Sequence, residues 1–309
     1  MRIAVLCATQ RGYRFLEKLI ALVPEADYTV FSFREEPHEP PFMENIRQLT
    51  QSSGGQFHEA RQVGSSRFAS LWETIHFDLM FVISWRYLIP PTVYTRTRLG
   101  SFVVHDSLLP SYRGFSPTVW AIINGEEQTG VTLFEIAPDV DSGDIIAQAP
   151  VHIGQDDTIA NVMERVTVTY LRLLEENITA LLNGTAQRRP QDHSQATFTC
   201  KRLPEDNQID WTQPTKYIYN LIRATTTPYH GAFTVLGGRK LTVWGARRLE
   251  NPREYVGSIP GRLVEVLPER GSIVLTTDGA LLLTQVQLEG EATLCAAEVL
   301  NSLGQTLGR

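Results

Sequence analysis

Residues 105–144 read HDSLLPSYRGFSPTVWAIINGEEQTGVTLFEIAPDVDSGD, and two of them are suited to proton transfer. His105 follows the apolar run 101–104, which reads as a strand, so its imidazole is expected at a strand's carboxyl end. In open α/β sheets that edge is where ligands bind. Asp141 lies in DVDSGD, a tight acidic turn between two expected strands. A histidine and an acid on neighbouring strand ends can act as a base and its orienting partner. The same residues also suit a structural histidine and a plain turn, because Asp and Gly are turn formers. Between them the loop 108–114, LLPSYRG, carries a proline, a single Arg and a glycine.

The elements that must position these groups come from hydrophobic pattern. Short apolar or β-branched runs at 2–8, 28–33, 78–84, 101–104, 131–136 and 144–152 read as strands. Helical spacing appears at 11–22, 43–51 and 66–75. It is clearest at 159–182, where Ile159, Val162, Met163, Val166, Tyr170, Leu173, Leu174, Ile178, Leu181 and Leu182 recur at steps of three and four. Ser116 before Pro117 predicts a hydroxyl cap and proline at the first helical position, with Asn124–Gly125 ending that helix. Residues 35–41, with three prolines, suit no regular element. Alternating strands and helices predict an open, mostly parallel Rossmann-like α/β sheet over residues 1–184. A polar linker is expected at 185–200. A small β-rich domain is expected at 201–309, with strands near 262–266, 272–276 and 281–287.

Composition narrows the function classes. The chain has 309 residues, 42% of them hydrophobic, enough for a sizeable core. Its net charge of −6 and the lack of a dense Lys/Arg run argue against a nucleic-acid partner. Cys7, Cys200 and Cys295 are few, odd in number and far apart, which points to no disulfide framework, no metal site and a reducing compartment. The opening MRIAVLCATQRG reads as a first strand, not a signal peptide. No run is long and apolar enough to span a membrane, so a cytoplasmic protein is expected.

HDSLLPSYRG, WAIINGEEQTGVT and DVDSGDI together resemble the folate-dependent formyltransferase family, which includes methionyl-tRNA formyltransferase, glycinamide ribonucleotide transformylase and the sugar N-formyltransferases. DLMFVISWRYLIP resembles the strand and loop beside the family's folate pocket. KRLPEDNQIDW, LIRATTTPYHGAF, LTVW, PGRLVEV and DGALLLTQVQLEG resemble the OB-like C-terminal domain of its longer members. The resemblance covers nearly the whole chain.

It implies direct transfer of a formyl group from 10-formyltetrahydrofolate, a co-substrate, to a primary amine. His105 would move the proton and Asp141 would hold the imidazole. Trp85, Arg86, Tyr87, Leu88, Val140 and Asp141 would line the folate pocket. The family's oxyanion-stabilising Asn falls at Val103, which has no side-chain donor. Three readings stay open there: a donor from elsewhere, a slow enzyme, or altered chemistry, including a folate or nucleotide binder that has lost turnover. Asp106 reads as a surface acid. The acidic stretch 34–41, REEPHEPP, argues against the basic insertion of the tRNA enzymes. The resemblance is nearest to the enzymes that formylate nucleotide-linked amino sugars. Arg11, Gly12, Ser107, Tyr112 and Arg113 are the candidate contacts to such a substrate, with Arg11 and Gly12 placed in the first strand-to-helix loop. The resemblance also implies a homodimer.

Overall fold

The computed structural model describes residues 1–36 and 39–309; Pro37 and His38, within the stretch expected to be irregular, lie outside the described residues. Strands β1 (Arg2–Cys7), β2 (Asp27–Ser32), β3 (Gln56–Glu59), β4 (Phe77–Ile83) and β5 (Thr97–His105) alternate with helices α1 (Thr9–Leu22), α2 (Met43–Ser52), α3 (Ser66–Thr74) and α4 (Pro91–Tyr94). Then follow β6 (Arg113–Gly114), α5 (Pro117–Asn124), β7 (Gln128–Glu135), β8 (Ile145–His152) and α6 (Ile159–Leu182). The main sheet has the order β3-β2-β1-β4-β5-β7-β8. β1 to β5 pair in parallel, and β7 runs antiparallel to β5. Parallel strands buried on both faces read as continuous apolar runs, which is why β1 and β4 were legible. Leu6, Phe31, Phe68, Trp72, Phe77 and Met80 form one core cluster of this sheet.

The expected mostly parallel sheet is therefore present, and the helical stripe of α6 is buried at Ile159, Val162, Val166, Tyr170, Leu173, Leu174, Ile178 and Leu181. Met163 and Leu182 sit at its half-exposed margin. Pro117 does open α5 and Gly125 closes it at φ +73°. Ser116, however, is itself left-handed at φ +52° and its hydroxyl makes no cap bond. An N-cap hydroxyl needs an extended backbone to reach the helix amides, so the expected cap is absent.

After β9 (Phe198–Thr199) come α7 (Thr215–Thr225), β10 (Ala232–Leu236), β11 (Arg239–Arg248), β12 (Leu263–Leu267), β13 (Gly271–Leu275), β14 (Ala280–Leu288), β15 (Leu294–Cys295) and α8 (Ala296–Val299). Strands β10 to β15 build an antiparallel sheet in the order β10-β11-β14-β13-β12, with β15 on β14. The described chain divides into two compact units that do not follow a single cut. One is Met1–Gly114, Gly130–Val151 and Arg165–Phe198; the other is Phe115–Thr129, His152–Glu164 and Thr199–Arg309. In the second, α7 meets α5 through Asn220 Nδ2, which donates to Ile123 O at 3.3 Å. Among the described residues no helix is long and apolar enough to cross a membrane.

Candidate active site

His105 is the last residue of β5, and the register Ile83↔Val104 sets the residues after β4 beside it at the carboxyl edge of the sheet. Asp141 comes from the turn that joins β7 to β8. His105 Nδ1 lies 3.6 Å from Asp141 Oδ2, with both side chains largely shielded, at 10% and 17% exposure. Residues 36 apart in sequence thus meet as the motif reading expected. The separation is longer than a hydrogen bond, so the carboxylate faces the imidazole without being bonded to it.

Three consecutive residues orient both groups. Tyr112 O lies 2.9 Å from His105 Nε2, and since a carbonyl only accepts, Nε2 carries a proton. In the neutral ring Nδ1 is then the nitrogen with a lone pair, in the imidazolium it carries the second proton, and in either form it faces Asp141. Gly114 N donates to Asp141 Oδ2 at 2.8 Å. Arg113 lies between them, 4% exposed, and its Nη2 donates to Gln191 Oε1 at 2.6 Å and to His193 Nδ1 at 3.0 Å. The loop leading to this triplet is braced from β7 and β8. Ser107 Oγ donates to Ser111 O at 2.6 Å, Thr132 Oγ1 donates to Ser107 O at 2.6 Å, and Gln148 Nε2 donates to Leu109 O at 2.7 Å. Tyr112 stands at φ +60°, which turns its carbonyl toward the imidazole.

The stretch expected as a linker is bonded to the main sheet. Arg189 and Ile145 exchange two backbone hydrogen bonds of 2.8 and 2.9 Å, and Arg188 reaches Glu135 and Leu99 O. Gln191 of this stretch donates from Nε2 to Asp141 O at 2.9 Å and to Gly143 O at 2.7 Å. Thr197 takes the amide of Tyr112 on its hydroxyl and that of Arg113 on its carbonyl. No local signal marked Gln191, because a polar residue in a polar stretch has no periodicity to break.

Asp106 is not the surface acid that was expected. Its carboxylate holds Arg11 Nη1 at 2.6 and 2.7 Å and accepts a short hydrogen bond from Tyr170. Arg11 is 11% exposed, lies 4.9 Å from the Tyr170 ring centroid, and reaches Thr167 Oγ1 at 3.4 Å. Burial pushes the Asp106 carboxyl up, but the Arg11 charge, the Tyr170 bond and His105 outweigh it and hold it below the usual carboxylate range. Burial first, then the Asp106 charge, drives the Tyr170 hydroxyl well above its ordinary value. Arg11 and Gly12 also lie inside α1, not in the loop before it. α1 starts at Thr9, and a Cβ at Gly12 would stand 3.0 Å from the Cys7 Cβ, so that glycine lets α1 close onto β1.

Val103 shares the His105 face of β5, because alternate strand residues point the same way. It pairs in register with Phe134 and packs with Leu109 and Ile145, so an apolar surface occupies this place beside the imidazole. Of the remaining expected residues, Trp85 and Tyr87 pack edge-on against Phe33 at 5.3 and 5.0 Å. Trp85 Nε1 is buried without a hydrogen-bond partner among the described residues. Arg86 is held by Glu39, at 2.8 Å in one of its two contacts. Leu88 and Val140 project outward, 90% and 52% exposed. Among the described residues no cluster of three His, Cys, Asp or Glu side chains is arranged to hold a metal ion.

Residues 6–178 match the family model described as formyl transferase, and residues 202–304 match formyl transferase, C-terminal domain. Solved structures share the fold at low identity. HypX from Aquifex aeolicus in complex with tetrahydrofolic acid is 22% identical over 97% of this chain, with a TM-score of 0.62. This chain spans about half of that protein, 47% of its length. The N-formyltransferase from Helicobacter canadensis, in complex with folinic acid and dTDP-3-aminofucose, is 17% identical over 92% of this chain and 99% of its own, with a TM-score of 0.70. WlaRD, a sugar 3N-formyl transferase solved with dTDP and 5-N-formyl-THF, is 17% identical over 94% of this chain and 99% of its own, with a TM-score of 0.66.

Proposed function

The chain belongs to the formyl transferase family, and we propose that it moves a formyl group from 10-formyltetrahydrofolate to the primary amine of a nucleotide-linked amino sugar. The observation that carries this reading is the His105–Asp141 pair, 3.6 Å apart, with the acceptor face of the imidazole turned to the carboxylate. The amine nitrogen attacks the formyl carbon and a tetrahedral oxyanion forms. His105 Nδ1 takes a proton from that nitrogen, and Asp141 stabilises the resulting imidazolium. The imidazolium returns the proton to the folate nitrogen as its bond to carbon breaks. A carboxylate beside an imidazole favours the charged form, which suits this cycle. With Val103 offering no donor, the oxyanion is stabilised by the imidazolium, a backbone amide or water.

Trp85, Arg86, Tyr87, Leu88 and Val140 remain the proposed folate wall. The position of residues 85–88 after β4 supports this, since ligands bind at the carboxyl edge where strand order reverses, here between β1 and β4, and Val140 is included as the neighbour of Asp141. Folate-bound neighbours of the same fold add support. The amino-sugar acceptor is suggested by the two neighbours solved with dTDP or a dTDP-sugar and by the acidic stretch 34–41.

Purified protein mixed with 10-formyltetrahydrofolate and a panel of nucleotide amino sugars is expected to release tetrahydrofolate with at least one of them. Folate binding with no release for any amine would replace this reading with that of a binding protein. Tight, steeply salt-dependent tRNA binding in a gel shift would move the acceptor to methionyl-tRNA.

A further inference from the structure

Asp141 stands at φ +49°, a left-handed conformation that a residue with a side chain adopts at a cost. Something must hold it there if its carboxylate is to face His105. Gly143 supplies part of the answer: a Cβ at that position would lie 1.7 Å from Glu135 O, so only glycine lets the turn fold this tightly against β7. The rest comes from Gln191, which is 6% exposed and bonded at both ends of its amide. Its two N–H groups meet two carbonyls, Asp141 O at 2.9 Å and Gly143 O at 2.7 Å, and its oxygen meets the Arg113 guanidinium at 2.6 Å. Each partner matches in kind, because carbonyls only accept and a guanidinium only donates.

The geometry closes a circuit. Arg113 is flanked by Tyr112, whose carbonyl holds His105, and by Gly114, whose amide holds Asp141. Gln191 ties that triplet to the backbone of the very turn whose side chain Gly114 grips. Both members of the pair are thus referenced to one loop, and Gln191 is the side chain that spans loop and turn. Its own backbone lies in the stretch that Arg189 pairs to Ile145 on β8.

We propose that Gln191 is a positioning residue that keeps the Asp141 carboxylate aimed at His105 by locking the left-handed turn to Arg113. The kinetic part of this claim rests on the formyl-transfer reading above; the structural part does not. Gln191→Glu keeps the length and the contact to Arg113 while removing both donors, and Gln191→Leu removes all three bonds.

In both variants the Gly114 amide, which loses a fixed acceptor when the turn relaxes, is expected to exchange with solvent deuterium about tenfold faster, the equivalent of one hydrogen bond. An unchanged Gly114 exchange rate overturns the proposal whatever the protein catalyses. In the transfer assay, kcat is expected to fall about a hundredfold, the cost of a displacement of about 1 Å, with KM for the amine little changed. The same substitutions made on Asp141→Ala are expected to add almost nothing, since the residue they act through is gone. An equal loss in both backgrounds would mark Gln191 as general scaffolding and overturn the claim. If Gln191→Leu does not fold, Gln191→Glu decides. If the wild-type protein formylates no amine, the formyl-transfer reading falls and Gly114 exchange alone decides the role of Gln191.

Discussion

Two carboxylates approach the end of β5 and are used in opposite ways. Asp106 is saturated: Arg11 spans both of its oxygens and Tyr170 adds a hydroxyl, so that charge, burial and hydrogen bonds balance within the fold. Asp141 has one backbone amide on Oδ2 and an imidazole standing 3.6 Å away. A saturated carboxylate has nothing to gain from a new proton, and its depressed pKa says the same. A carboxylate that faces an imidazole without a bond to it still has an oxygen free of the fold's own charge pairing. The difference teaches that the neighbour in sequence, Asp106, is bound up in the fold, while the neighbour in space, Asp141, is the carboxylate left facing the imidazole and the one we propose as its partner in chemistry.

Substitutions on the two sides should separate cleanly. The largest effect is expected from His105→Ala, which should lower turnover by about 10²–10⁴, the usual worth of one general acid–base, with thermal unfolding little changed; tetrahydrofolate release and a melting curve check both halves. Wild-type turnover in that variant would remove His105 from the mechanism. Asp106→Ala should do the reverse. Leaving Arg11 without its largely buried partner is expected to cost about 3–5 kcal/mol of stability in a denaturant titration, while the folded fraction keeps its activity well below the transition. Were it to lose activity without losing stability, the contrast between the two carboxylates would be wrong.

The pH dependence of stability sharpens the same point. Because the folded-state pKa of Asp106 is depressed, its contribution is present above the ordinary carboxyl range and is lost as pH falls through the lowered value. Asp106→Asn should therefore flatten the acid limb of stability against pH, measured by urea midpoints between neutral and strongly acid solution. Tyr170→Phe, which removes one hydroxyl from the cluster, should cost about 1–2 kcal/mol and leave transfer unchanged. The smallest effect is expected from Val103→Asn. One oxyanion donor is worth about two to three orders of magnitude, so an unchanged rate would show that another group already fills that role, and a gain of that size would show the native site lacks it.

Much of this was legible before the structure. The apolar runs of β1 and β4, the stripe of α6 and the left-handed closure at Gly125 are local patterns, and each sits within a few residues of its expected place. His105 at a strand end and Asp141 in a turn were likewise readable from the residues flanking them. The cap at Ser116 failed because the backbone there is left-handed, which residue type alone did not reveal. The helix α7 and the strands β10 and β11 carried no pattern clear enough to place them, only a resemblance.

Residue order settled where the strongly patterned strands, helices and turns lie, such as β1, β4 and α6, since those depend on patterns that repeat within a few positions. It could not settle which side chains meet across the fold. Arg11 finds Asp106 across 95 positions, Tyr170 finds it across 64, and Gln191 finds Asp141 across 50. Such pairings cost chain entropy and are decided by which surfaces the packed sheet brings within hydrogen-bond reach, a property of the assembled core that no local stretch contains.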